Sequence, residues 1–131
     1  MLNFKSPYLI GLLLLIITGC QKELHYETAS DQLVNKVWHL EKMVTPSFSY
    51  SYSGVPTFSF KLEKSTYSYR DSDGIVGDFT IEELAQGTWI QVHSTTRLIE
   101  SYKITQLEKN HFVAEIVKNN VLQILYFSTR L

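Results

Sequence analysis

The chain is poor in the residues that carry most protein chemistry. It has one cysteine in 131 residues, Cys20, so no intrachain disulfide can form. Its four histidines are His25, His39, His93 and His111. None makes a close His-x-His or His-x-x-x-His pair, whereas a zinc site needs three or four converging ligands. There is no glycine-rich phosphate loop and no Gly-x-Ser-x-Gly elbow to sharpen a serine. Asp71, Asp73 and Asp78 with Gly74 lack the full spacing of a calcium loop and its distant bidentate glutamate. Glu82 and Glu83 are adjacent, so on a strand they point to opposite faces and cannot share a proton. The net charge is −1, with no basic block, which argues against electrostatic capture of nucleic acid. No enzymatic activity, metal or cofactor is expected. The length allows a single domain, and 44% apolar residues with 19% charged mark it as globular rather than disordered.

What is present begins with an address. Lys5 makes a small positive region, residues 8–17 form an apolar run, and the small Thr18 and Gly19 precede Cys20. This is the anatomy of a secretory signal peptide. The apolar run is about half of the ~20 residues that a spanning helix needs. Ile17-Thr18-Gly19-Cys20 resembles the lipobox of bacterial lipoproteins. That resemblance implies diacylation of the Cys20 thiol, with palmitate-like chains, and cleavage just before it. Cleavage removes Lys5 alone among the charges and leaves −2. Two or three acyl chains, at about 0.8 kcal/mol per buried methylene, give a stable anchor. Gln21 rather than aspartate after the cysteine favours the outer membrane over inner-membrane retention. Gln21-Lys22-Glu23 is similar to a surface-export signal, although Leu24 follows where that signal carries a second acidic residue. The expected location is therefore the bacterial cell envelope, lipid-anchored in the outer membrane and facing the periplasm or the cell surface.

The body reads as strands. Residues 20–30 are polar and aperiodic, a tether between a signal peptide at 1–19 and a folded domain at 31–131. Ser30 is placed to cap a short helix, with Asp31 in its first turn and Leu33, Val34 and Val37 on one face. From there the period changes to two. Alternation runs through Trp38 and Leu40, through Phe48, Tyr50 and Tyr52, through Phe58, Phe60 and Leu62, and through Tyr67 and Tyr69. Asp71-Ser72-Asp73-Gly74 is a turn. Strands follow over 75–81 (Gly77 within it reading as a bulge), 86–93, 98–107, 111–117 and 121–127, with Asn119-Asn120 as a hairpin turn. No crossover helix separates them, so parallel units are excluded. The expected fold is all-β: an antiparallel meander of about eight strands, closed as a barrel, with a short N-terminal helix.

A helical plug, a first strand with an early tryptophan, and a β-meander together resemble the lipocalin (calycin) barrels. The likeness is closer to the small lipocalin-like lipoproteins of the Bacteroidetes type. Trp38-His39-Leu40 stands where that family shows Gly-x-Trp on its first strand, with Lys36 in place of the glycine. Leu125 to Arg130 is similar to its last strand. The resemblance implies that Arg130 packs over Trp38 as a structural cation–π pair. It also implies a ligand held in the barrel.

Aromatic residues make 13% of the chain. They could fill the core, line a pocket or face outward as a contact surface. An eight-stranded barrel leaves room for side chains or one small ligand. Two functions follow. In one, a membrane-anchored module binds a small apolar ligand, with Tyr50, Tyr52, Phe58, Phe60, Tyr67 and Tyr69 as its walls. In the other, a filled barrel is a scaffold or inhibitor in an envelope complex. Its protein contacts then come from residues 47–53 and 71–78.

Overall fold

The computed structural model describes residues 28–96 and 99–130. Within them lie one short helix, α1 (Ala29–Leu33), and nine strands: β1 (Lys36–Val44), β2 (Ser49–Ser51), β3 (Thr57–Glu63), β4 (Thr66–Asp71), β5 (Val76–Leu84), β6 (Gly87–Ser94), β7 (Ile99–Leu107), β8 (His111–Lys118) and β9 (Val121–Ser128). Every pairing is antiparallel, and β9 returns to pair with β1. β1 with β3–β9 therefore closes an eight-stranded meander barrel, consistent with a calycin-like fold. Closure removes the two exposed edges that an open sheet would present.

The ninth strand is a flap. β1 is long enough to serve two partners on one edge. Its residues 36–39 pair with β3, and its residues 42–44 pair with β2. A bulge between Leu40 and Lys42 marks the change. There the Glu41 carbonyl accepts the Tyr52 N–H at 2.8 Å, which ties the flap's exit to β1. The perfect alternation of residues 48–52 had implied a half-buried strand. Phe48 and Tyr50 are instead more than half exposed, because β2 lies beyond the end of β3 with no layer beneath it.

Two local expectations are corrected. Gly77 is not a bulge. The β5–β6 register runs without a shift from Gly77–Ser94 to Leu84–Gly87. A Cβ on Gly77 would lie 2.0 Å from the His93 carbonyl oxygen, so the glycine permits a close backbone approach. The helix starts one residue before Ser30, with Thr28 as its N-cap and a reciprocal capping box to Asp31. It stops at Leu33, so Val37 belongs to β1 and points outward, half exposed. The Asn119-Asn120 turn is as expected. Both residues have positive φ, 52° and 61°, which a two-residue type I′ hairpin requires.

The alternation sorts the strands into an inner and an outer face. At the end where α1 sits, the lumen is packed solid. Leu33 and Trp38 are fully buried, and the Trp38 indole N–H donates to the Leu33 carbonyl at 2.9 Å. Phe112 meets Trp38 edge-on at 4.7 Å and stacks on Phe127 at 4.2 Å. Phe60 and Phe79 continue the packing at 5.1 Å on the opposite wall. Each such ring pair adds about 0.5–1.5 kcal/mol beyond the area it buries. The Ala29 N–H donates to the Glu83 carboxylate at 3.1 Å, fixing α1 to β5 as a lid on this end.

Candidate functional site

The other end of the barrel is open. Following the inner face of each strand toward that mouth, the side chains change from apolar to polar. On β4 the inward positions run from Tyr69 to Asp71, and on β7 they run from Tyr102 to Glu100. Both strands thus place a tyrosine and a carboxylate two residues apart on the lumen side. The Tyr69 hydroxyl donates to Asp71 Oδ2 at 3.0 Å, and the Tyr102 hydroxyl donates to Glu100 Oε2. Lys118, at the end of β8, pairs with Glu100 Oε1 at 3.1 Å.

The turn after β4 explains why Asp71 is held so firmly. Asp71 Oδ1 accepts the backbone N–H groups of Asp73 and Ile75, each at 3.0 Å, and Gly74 takes the positive φ of 82° that the turn needs. The Asp71-Ser72-Asp73-Gly74 motif therefore builds a rim by using one carboxylate oxygen on its own backbone. Asp78, the third acid weighed for a calcium loop, lies on β5 and instead faces His93 at 3.3 Å.

Together these groups enclose a cup of about 250 Å³. Its floor and walls are Leu40, Phe58, Val92, Leu125 and the tyrosine rings; its rim carries Asp71, Asp73, Glu100 and Lys118. The cup is smaller than the roughly 300 Å³ at which drug-sized pockets begin. Burial, first of all, pushes both phenols above their usual range. The neighbouring carboxylates act in the same direction, each hydroxyl being held protonated by the acid it donates to. Asp71 and Glu100 each act on both phenols, so the two tyrosine–acid pairs share one electrostatic space across the lumen.

The six aromatic residues read from the sequence as ligand walls separate into two groups. Tyr52, Phe58 and Tyr69 meet around the cup. Phe60 lies below it in the solid core, 3% exposed and packed on Phe79. Tyr67 is at the helix-capped end, sealing against Phe79 at 5.1 Å. Tyr50 projects from the flap, with its ring edge-on to Tyr52 at 4.7 Å. Tyr102, Glu100 and Lys118 were not singled out from the sequence. The signal for Tyr102 and Glu100 is the mirrored spacing Tyr69-x-Asp71 and Glu100-x-Tyr102; Lys118 joins them only through the fold.

The cation over Trp38 is not Arg130. Lys36 Nζ lies 5.6 Å from the Trp38 ring centroid and donates to the Lys109 carbonyl at 2.7 Å. Lys36 thus supplies the cation that the lipocalin resemblance implied for the last strand, while Arg130 is exposed. His39 is engaged structurally, its Nδ1 donating to the Gly54 carbonyl at 2.9 Å. Cys20 lies outside the described residues.

A larger depression, about 690 Å³, runs along the outer face of β6–β9 past Trp89, Ile99, Val117 and Leu122. It is open along its length, so it could cover a bound molecule from one side only. No family model matches the chain, and no curated protein or solved structure matches it either.

Proposed function

We propose that this protein is a lipid-anchored, lipocalin-like lipoprotein of a bacterial envelope, a non-enzymatic module that holds a small ligand in the cup at the barrel mouth. The observation that carries this reading is the asymmetry of the lumen. One end is filled ring against ring, and the other keeps an enclosed cup with an apolar floor and convergent polar groups. The sequence pattern of residues 1–20 supports the anchor on Cys20, placed in the outer membrane. The chain enters the barrel through α1 at the closed end, so the mouth is opposite the point where the tether joins. In this reading the ligand arrives through water rather than directly from the bilayer.

Native mass spectrometry of the full lipoprotein, released from its own membranes in mild detergent, tests both halves of the proposal. The expected result is an acylated chain beginning at Cys20, with a small-molecule adduct on part of the population. A chain starting at Met1 without acyl groups overturns the anchor. An adduct-free protein in a stable protein complex overturns the carrier and supports the scaffold reading. One observation favours that second reading. Ile99 and Val117 are about two thirds exposed on the outer groove, at 65% and 64%, where an envelope partner could cover them.

A further inference from the structure

The charge and hydrogen-bonding of the cup define the ligand more narrowly than its shape does. We propose that the cup selects a small primary amine: one protonated nitrogen on a compact, largely aromatic or aliphatic body. This inference rests on the ligand-holding reading above and deepens it.

Size sets the first limit. A cavity of about 150 Å³ accepts benzene, so a cup of about 250 Å³ admits a molecule of about ten heavy atoms. The floor of Leu40, Phe58, Val92 and Leu125 suits an apolar body.

Charge sets the second limit. Three carboxylates, Asp71, Asp73 and Glu100, line the cup against one ammonium, Lys118, leaving a formal charge of minus two. A carboxylate or phosphate ligand would enter against that field. An ammonium would enter with it, and tyrosine faces are favourable neighbours for a cation.

Donor and acceptor direction is an independent argument. An ionised carboxylate can only accept, so the Tyr69 and Tyr102 hydroxyls must be donors in their bonds to Asp71 and Glu100. Their protons are thereby committed, and both phenol oxygens remain as acceptors. A protonated primary amine has three donors and no acceptor, which complements this arrangement. The chain already shows the pairing, because the Lys118 ammonium sits at 3.1 Å from Glu100 Oε1. A ligand amine would share or replace that contact.

The test uses the full-length protein in mild detergent at low salt and pH 7, titrated calorimetrically with three probes of similar size: phenethylamine, 2-phenylethanol and 3-phenylpropionate. The expected order is the amine tightest, the alcohol about tenfold weaker, and no detectable binding of the acid. Glu100→Gln should weaken the amine about tenfold and leave the alcohol nearly unchanged. Lys118→Met should tighten the amine by removing the competing ammonium. This gain is not expected of a merely structural lysine, and Lys118 is exposed enough for folding to survive its loss. Equal affinity for the three probes, or preference for the acid, overturns the amine assignment and leaves the carrier reading standing. Binding by none of them overturns the amine assignment too. Joined to an adduct-free native mass spectrum, that result overturns the carrier reading as well.

Discussion

At the helix-capped end of the barrel, Trp38, Phe112 and Phe127 close the lumen ring against ring; at the mouth, Tyr69, Tyr102, Asp71 and Glu100 face the same lumen and leave it open. Both ends are made from the same alternating strands. They differ in what the inward positions carry. Apolar rings can approach to van der Waals distance from every side, so they fill space to the density of a crystal. Carboxylates resist such closure because each must keep hydrogen-bond partners. Asp71 meets this need with a turn and a phenol, and Glu100 with a phenol and a lysine. The two ends therefore differ in what they offer: one stabilises the barrel, and the other keeps the cup in which we propose that a ligand is held.

The comparison can be broken most directly at Trp38. Trp38→Ala should cost about 3–5 kcal/mol in urea unfolding, the range for truncating a fully buried aromatic. The matched truncation at the mouth, Tyr52→Ala, should cost about 1 kcal/mol, because that ring is only half-buried. Similar losses at the two positions would mean that the mouth is as much core as the plug.

Alkali offers a second way to separate the ends. Tyr69 and Tyr102 hold their protons more tightly in the folded barrel than in the unfolded chain. Their contribution is fully present below the ordinary phenol value of about 10 and is lost as pH rises above it, by up to about 1.4 kcal/mol per pH unit for each phenol. Unfolding free energy should therefore fall with pH above about 10. A Tyr69→Phe, Tyr102→Phe double variant should flatten that slope while leaving stability at neutral pH closer to the parent. An unchanged slope would show that the phenols do not titrate with unfolding.

Smaller effects sharpen the same contrast. Thr28→Ala removes one half of the α1 capping box and should cost about 1 kcal/mol, read as a lower unfolding midpoint with an unchanged denaturant slope. Tyr50→Ala, on the exposed flap, should change stability by less than about 0.5 kcal/mol. A larger loss there would show that the flap packs on the barrel more closely than its exposure indicates.

The barrel was legible because alternation is a local property. Trp38 and Leu40, Phe58 and Phe60, and Asn119-Asn120 each announce a strand or a turn without reference to anything distant. The site was legible only in part. Tyr52, Phe58 and Tyr69 were read as ligand walls and do meet at the cup. Tyr50 and Tyr67 followed the same alternation but lie elsewhere, because periodicity assigns a face and not a height along the barrel axis. Lys36 shows the same gap. Alternation places it two residues before Trp38 on the same face of β1, and only packing puts its ammonium over the ring.

The sequence by itself determined the antiparallel meander, the hairpin at Asn119-Asn120 and the inward positions on most of the strands, the flap at residues 49–51 excepted, since period two and turn chemistry act over a few residues. It also carries, in residues 1–20, the linear pattern on which the proposed anchor rests. Tertiary structure alone decided that β9 closes on β1, that Trp38, Phe112 and Phe127 pack together at one end, and that Asp71 and Glu100 line a common cup at the other. Those outcomes depend on register and shear between strands far apart in the chain, and local patterning carries no record of either.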